Sequence, residues 1–217
     1  IKLVSSQFGD RQINHYDTSK AHILRSARNT LKELKTDRLD CLLIHRPDPL
    51  MCADEVAKAF YELKAACDVL SFGVSNFNEQ QFDLLQSRLE MPLVTNQVEL
   101  SPLALHELDQ GTFNWLQKCS ITPMIWSPLA GGSIFNPDSE DKVRLLNTLH
   151  AIQDEINAPA VDCVIFAWLH KIPTGASIVL GTGSRTRIDS ALKSLDYTLT
   201  NEQWFRVLKA AKGHDVP

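Results

Sequence analysis

Short apolar runs alternate along the chain with segments whose apolar residues recur at helical spacing. Leu39–Ile44 is a typical run, because strands buried on both faces of a parallel sheet are almost continuously apolar. The pattern predicts six strands, at residues 3–6, 39–44, 69–74, 93–98, 121–126 and 177–180.

Helices are predicted between the strands, where apolar residues recur every three or four positions. Asp17 or Thr18 is the predicted N-cap of the first helix, and Asn78 is predicted to cap the third. The apolar positions place helices around residues 24–34, 56–63, 82–85, 113–116, 143–152, 164–168, from Arg187 onward, and 201–211. Residues 127–137 are rich in glycine, proline and serine, and we expect a loop there.

This alternation predicts a parallel α/β sheet, and no linker interrupts a single domain over residues 1–217. Right-handed crossovers leave two arrangements, a doubly wound open sheet or a closed barrel. The first strand is not followed by Gly-x-Gly-x-x-Gly, the dinucleotide fingerprint of the doubly wound fold. The absence of that fingerprint favours the barrel.

Composition narrows the class of protein. The chain has 217 residues, a formal net charge of -4 and 44% hydrophobic residues. Neither nucleic acid nor an anionic membrane is an expected partner, since no basic excess would attract them. The five cysteines lack Cys-x-x-Cys spacing. They are therefore predicted to be buried, reduced thiols of a cytoplasmic protein, without a metal site.

Polar or small residues follow each predicted strand. In a barrel, the carboxyl ends of the strands form one rim, and that rim carries the active site. The residues at the predicted strand ends are Gln7, His45, Ser75, Asn76, Gln97, Glu99, Trp126, Ser127, Gly181 and Thr182.

Several of these side chains suit a bound ligand, although each also has an ordinary structural explanation. His45 either donates a hydrogen bond to a substrate carbonyl or bonds to nearby backbone. The amides of Asn76 and Gln97 either pair with a carboxamide or cap backbone groups. We expect both to be among the least exposed polar side chains. The side chain of Trp126 either packs in the hydrophobic core or offers a flat surface for stacking.

Two small-residue loops suit phosphate groups. Residues 129–133, LAGGS, offer backbone N–H groups for a pyrophosphate. Gly181, Thr182 and Gly183 precede Arg187 at a predicted helix start, where a phosphate is favourable. The alternative for Arg187 is a solvated side chain at the start of its helix.

Five motifs together resemble the aldo-keto reductase family, in particular its bacterial YdhF-like oxidoreductase branch. They occur in the order expected of that family, along essentially the whole chain. The motifs are LLIHRPDP at residues 42–49, FGVSNF at 72–77, NQVELSP at 96–102, WSPLAGG at 126–132 and GTG at 181–183.

The resemblance implies a parallel (β/α)8 TIM-type barrel that binds NADPH across its rim and reduces aldehydes or ketones by hydride transfer. It implies that His45 orients the carbonyl substrate and that Trp126 stacks on the nicotinamide. The carboxamide would be held by Ser75, Asn76 and Gln97. The pyrophosphate would be lined by Ser127, Pro128, Leu129, Gly131 and Gly132. The adenosine end would be lined by Gly181, Thr182 and Gly183, with Arg187 facing the 2′-phosphate.

The chain also departs from the family pattern. It opens at the family's third strand, so we expect a barrel incomplete at its N-terminus and without the motif that carries the catalytic Tyr and Asp. Tyr16, Tyr61 and Tyr197 do not match that motif. Gln7 occupies the family's lysine position, and a neutral amide cannot lower the pKa of a tyrosine as a cation does. Weak or absent turnover is therefore expected. The alternatives are a dinucleotide-binding protein without turnover and a truncated inactive product.

Overall fold

The structure is a computed structural model that describes residues 15–215. The chain divides into two compact units, one ending at Gln97 and the other beginning at Val98. The predicted strand at residues 3–6 and Gln7 lie outside the described residues. The two units are described separately below.

Three parallel strands alternate with three helices in the first unit. The elements are α1 Lys20–Leu34, β1 Leu39–Ile44, α2 Ala53–Ala65, β2 Val69–Ser75, α3 Glu79–Gln86 and β3 Leu93–Glu99, the last of which runs across the boundary between the units. Strand β2 pairs with β1 on one side and β3 on the other, both in parallel. The register places Ile44 beside Val74 and Ser75 beside Gln97, so the carboxyl ends of the strands lie at one edge.

Gly73 allows the three strands to approach closely. A Cβ atom at this position would lie 2.7 Å from the backbone oxygen of Thr95 on β3 and 2.8 Å from Cδ2 of Leu43 on β1. Real Cβ atoms essentially never approach other heavy atoms within 3.0 Å. The glycine of the FGVSNF motif is therefore required by strand packing.

The helix caps confirm one prediction and correct another. Asn78 caps α3: its Oδ1 accepts from the Gln81 N–H at 2.9 Å, and Gln81 Oε1 accepts from the Asn78 N–H at 3.0 Å. The prediction of Asp17 or Thr18 as the cap of α1 is wrong, because Ser19 Oγ accepts from the His22 N–H at 3.3 Å. Asp17 instead accepts from the backbone N–H of Ser19.

Thr18 has a different role, since its hydroxyl donates to Asp48 Oδ2 at 2.7 Å. The other carboxylate oxygen of Asp48 accepts from the Leu50 N–H at 2.8 Å. The bond from Thr18 links the segment that follows His45 to the residues before α1, and the bond from Leu50 stabilises the turn at Asp48.

The second unit contains two short parallel strands and most of the helices. Its elements are α4 His106–Asp109, α5 Thr112–Lys118, β4 Met124–Trp126, a 3-10 helix Ala130–Phe135, α6 Glu140–Ile156, α7 Val161–His170, β5 Ser177–Ile178, α8 Arg185–Lys193, a second 3-10 helix Ser194–Asp196, and α9 Asn201–Lys212. Met124 pairs with Ser177 and Ile125 with Ile178. The expected loop at residues 127–137 thus contains 3-10 turns over Ala130–Phe135, which are interrupted at Gly131 and Gly132 by positive φ angles. Helix α4 was not predicted.

Helix α7 forms the centre of the second unit. It is apolar on all sides, and every residue from Cys163 to Leu169 is buried. The rings of Trp168 on α7 and Trp204 on α9 stack at 5.2 Å. Each indole N–H donates to the backbone oxygen of the other residue, at 3.1 and 3.0 Å. This reciprocal pair stabilises the contact between α7 and α9, because both indole donors are satisfied.

The predicted burial of the cysteines is wrong for four of them: Cys41, Cys52, Cys67 and Cys119 are exposed, and Cys163 alone is buried. Cys52 is the N-cap of α2 and Cys119 the C-cap of α5, positions at helix ends that commonly face solvent. Within residues 15–215, no helix is long and apolar enough to cross a membrane, and no three His, Cys, Asp or Glu side chains form a metal-binding group.

Candidate functional site

Four predicted site residues meet at the carboxyl ends of the strands in the first unit. Asn76 directly follows β2 and has a left-handed backbone conformation, with φ of 61°, which Asn tolerates better than most residues. Its side-chain Nδ2 donates to the backbone oxygen of His45 at 3.2 Å and to Ser75 Oγ at 2.8 Å. Ser75 Oγ donates to the backbone oxygen of Gln97 at 2.8 Å, and the Asn76 N–H donates to the same oxygen at 2.9 Å. We call His45, Ser75, Asn76 and Gln97 the amide cluster.

The amide cluster is more open to solvent than expected. Ser75 is buried, but Asn76 and Gln97 are half-buried and His45 is exposed. The prediction that Asn76 and Gln97 are among the least exposed polar side chains is wrong, because the buried amide is that of Asn96, at 0% exposure. Asn96 donates to the Phe77 oxygen at 2.7 Å and accepts from the Phe77 N–H at 3.4 Å. Asn96 thus stabilises the backbone turn after β2, while the side chains of Asn76 and Gln97 are half-buried at the ends of the strands.

The second unit contains a cavity of about 980 Å³, within the range typical of small-molecule sites. Two loops that the sequence singled out form part of its wall. They contribute Ser127, Pro128, Leu129, Gly131 and Gly132 after β4, and Leu180, Gly181, Thr182 and Arg187 after β5. The rest of the wall comes from Phe135, Asn136, His150, Gln153, Ala160, Val161, Asp162 and Phe166. Trp126 and Gly183 are not among the described residues that line it.

The loop after β4 has an unusual backbone. Ser127, Ala130, Gly131 and Gly132 all have positive φ, from 49° to 89°. The N–H of Ala130 donates to the Ser127 oxygen and that of Gly132 to the Leu129 oxygen, both at 2.9 Å. These two N–H groups fix the shape of the loop, so a pyrophosphate would have to use other donors.

Gly181 lines the cavity without restricting it. Its φ lies outside the left-handed region, and an added Cβ would meet no atom within 4 Å. Neither backbone conformation nor packing therefore requires glycine here. The space beside its backbone is open to the cavity.

Arg187 supplies a positive charge to the same wall. It lies in the first turn of α8, is exposed, and forms no ion pair or hydrogen bond with residues 15–215. The N-terminus of a helix also carries a partial positive charge. An exposed, unpaired guanidinium at this place suits a phosphate, which Arg can bind through two hydrogen bonds. The donor set and the volume of the cavity fit the adenosine phosphate end of NADPH.

A polar cluster that the sequence did not reveal lies beside Arg187. Asp162 Oδ1 accepts from Ser190 Oγ at 2.9 Å and from the Cys163 N–H at 3.0 Å. The Cys163 thiol donates to the Ser190 backbone oxygen at 3.3 Å. Burial raises the pKa of the Cys163 thiol, so it stays protonated near neutral pH and remains a donor. The only sequence signal for this cluster was an acidic residue in the first turn of an otherwise apolar helix.

Comparison with known proteins places the chain among oxidoreductases. A family model described as "Aldo/keto reductase family" matches residues 2–212. The uncharacterized oxidoreductase YcsN of Bacillus subtilis is 45% identical, over 100% of this chain and 72% of its own length. The oxidoreductase YdhF of Escherichia coli is 46% identical over 94% of this chain and 68% of its length. A 6-dehydroglucose reductase of Agrobacterium fabrum is 40% identical, over 100% of this chain and 71% of its length.

Solved structures agree with this placement. A thermostable aldo-keto reductase crystallised with the inhibitor epalrestat superposes with a TM-score of 0.79 at 26% identity, over 89% of this chain and 67% of its own. A glycerol dehydrogenase from Gluconobacter oxydans superposes with a TM-score of 0.84 at 18% identity, over 98% and 70% of the two chains. These matches confirm the parallel α/β fold expected of a barrel of this type.

Proposed function

This chain belongs to the aldo/keto reductase family, and we propose on that basis that it is a cytoplasmic oxidoreductase that uses NADPH to reduce small aldehydes or ketones to alcohols. The observation that carries the cofactor assignment is the unpaired Arg187 on the wall of a cavity lined by Gly181 and the 127–132 loop. A guanidinium at that place distinguishes the 2′-phosphate of NADPH from the 2′-hydroxyl of NADH.

The amide cluster would hold the reactive end of the cofactor. The bound nicotinamide supplies a hydride to the carbonyl carbon of the substrate. The resemblance assigns the carboxamide to Ser75, Asn76 and Gln97, whose hydroxyl and amide groups are of the kinds that can donate to and accept from a carboxamide. To bind it, Asn76 and Ser75 would exchange hydrogen bonds that they now make within the cluster. Trp126 would give the ring a flat surface. His45, which is exposed at the end of β1, would donate a hydrogen bond to the substrate oxygen.

For the second unit, taken by itself, we propose that its cavity binds the phosphate and adenosine groups of the cofactor. Ser127, Pro128, Leu129, Gly131 and Gly132 would line the pyrophosphate, and Gly181 and Thr182 the adenosine. A carbonyl of an oxidised sugar is a suitable first substrate class, because the relative that is 40% identical over the whole chain is named 6-dehydroglucose reductase.

A second candidate function is dinucleotide binding without turnover, and Gln7 favours it. The resemblance places a lysine where this chain has Gln7. A neutral amide leaves a tyrosine acid harder to ionise, so both protonation of the product and the reverse reaction would be slow.

The Gln7→Lys change tests which candidate is right. We expect at least a tenfold rise in the rate at which the longest expressed form of the protein oxidises NADPH with a reactive aromatic aldehyde. A positioned general acid contributes about 10²–10⁴-fold, and the lysine tunes that acid. The affinity for NADPH should not change.

Gln117→Lys on the exposed surface of α5 makes the same charge change and should have no effect on the rate. A protein that turns over briskly and does not respond to Gln7→Lys would show that the lysine position is misassigned. NADPH binding without turnover in either form would favour the second candidate. Absence of binding would overturn both.

A further inference from the structure

We propose that Asp162 recognises the adenine base of the cofactor by accepting a hydrogen bond from its 6-amino group. The proposal rests on the proposed function, since it takes the cavity of the second unit to hold the adenosine end of NADPH. It adds a base-specific contact made by a residue of α7.

Asp162 and Arg187 belong to two helices that contribute to the same cavity wall. Asp162 lies in the first turn of α7 and lines the cavity. Ser190, which donates to it at 2.9 Å, follows Arg187 by three residues on α8. Residues three apart on a helix are neighbours on one face, with Cβ atoms about 5–6 Å apart. Arg187 and Ser190, the donor to Asp162, therefore lie on one face of α8, and both Arg187 and Asp162 line the cavity.

Both residues face the space that the adenosine end of NADPH would occupy. The 2′-phosphate and the base are attached to adjacent carbons of one ribose, and the 6-amino group lies at the end of the purine away from that ribose. A phosphate bound at Arg187 would therefore leave the base in the same cavity, whose wall includes Asp162. Phe135, which is 41% exposed, lines the same cavity and offers a ring face for a purine.

The two carboxylate oxygens of Asp162 differ in their hydrogen bonds. Both of its bonds within residues 15–215 are accepted by Oδ1, from Ser190 and from the Cys163 N–H. Oδ2 is the acceptor that remains for a ligand. An ionised carboxylate accepts and cannot donate, so it favours a 6-amino group and repels the 6-oxo group of hypoxanthine or guanine.

The test compares NADPH with its 6-oxo analogue, the reduced form of nicotinamide hypoxanthine dinucleotide phosphate, in titrations followed by tryptophan fluorescence. We expect the unmodified protein to bind NADPH at least tenfold more tightly than the analogue. Asp162→Asn keeps an acceptor for Ser190 and adds a donor for the 6-oxo group, so this preference should fall at least fivefold. Asp189→Asn makes the same charge change at an exposed position of α8 outside the cavity wall and should leave the preference intact.

Each outcome distinguishes the two proposals. Equal affinity of the unmodified protein for NADPH and the analogue overturns the role of Asp162 but not the proposed function. This comparison needs no variant, so it decides the matter even if Asp162→Asn does not fold. An unchanged preference in a folded Asp162→Asn protein also overturns the role. If that variant instead loses affinity for NADH alone, Asp162 binds the ribose 2′-hydroxyl and not the base. Absence of binding to either dinucleotide overturns the proposed function as well.

Discussion

The Gly73→Ala protein is expected to unfold at a markedly lower urea concentration than the unmodified protein, with a loss of roughly 3 kcal/mol in the free energy of unfolding. The new methyl group would lie 2.7 Å from the Thr95 backbone oxygen, 2.8 Å from Leu43 Cδ2 and 2.9 Å from Thr95 Cγ2. The Thr95 oxygen belongs to the backbone of β3, so it cannot move away without a shift of the strand. The overpacking would be relieved only by separating β2 from its neighbours.

Gly181→Ala is the matched control for this experiment. It makes the same chemical change at a place where the added Cβ meets no atom within 4 Å. We expect its free energy of unfolding to stay within about 0.5 kcal/mol of that of the unmodified protein, as for most surface substitutions. Urea unfolding can be followed by circular dichroism. If the Gly73→Ala protein unfolds at the same urea concentration as the unmodified protein, β2 and β3 are not as close as described.

The Arg187→Ala change is expected to weaken NADPH binding tenfold to a hundredfold and to leave NADH binding nearly unchanged. A hydrogen bond to a charged group contributes about 1.5–3 kcal/mol, which corresponds to this range of change in affinity. NADH has no 2′-phosphate, so it loses no such contact. Calorimetric titration of both cofactors measures the difference.

Arg185→Ala is the control for Arg187. Arg185 begins the same helix and is exposed, but it is not among the residues that line the cavity. Its loss lowers the net charge equally and should have little effect on either cofactor. An equal loss of NADPH and NADH affinity in Arg187→Ala would show that this residue supports the helix and not the phosphate.

Sequence patterns predicted best where a single local cause determines the structure. Strand β1 has the predicted bounds, Leu39–Ile44, although the reason given for it holds only in part: Leu39, Leu42 and Ile44 are buried, whereas Asp40 and Cys41 are exposed. Helix α6 shows the limit of such patterns. The apolar residues from Val143 to Ile152 predicted the helix, but Val143 is 43% exposed, whereas Leu145 is buried. Apolar spacing of three and four leaves the rotation of a helix uncertain by one position.

The candidate site was predictable only where adjacent residues carry the chemistry. Gly181 and Arg187 were each assigned to phosphate binding, and both line one cavity. The bond from Ser190 to Asp162 joins residues 28 positions apart, and neither residue has a local pattern that indicates the other. Contacts of this kind arise from the packing of α7 against α8 and therefore require the folded chain.

Titration of the unmodified protein with NADPH and NADH, followed by quenching of tryptophan fluorescence, tests the central claim most directly. If Arg187 and the glycine loops form the adenosine phosphate site, both titrations will saturate at one site and NADPH will bind at least tenfold more tightly. No saturable binding, or equal affinity for the two cofactors, would contradict the assignment of this cavity to NADPH.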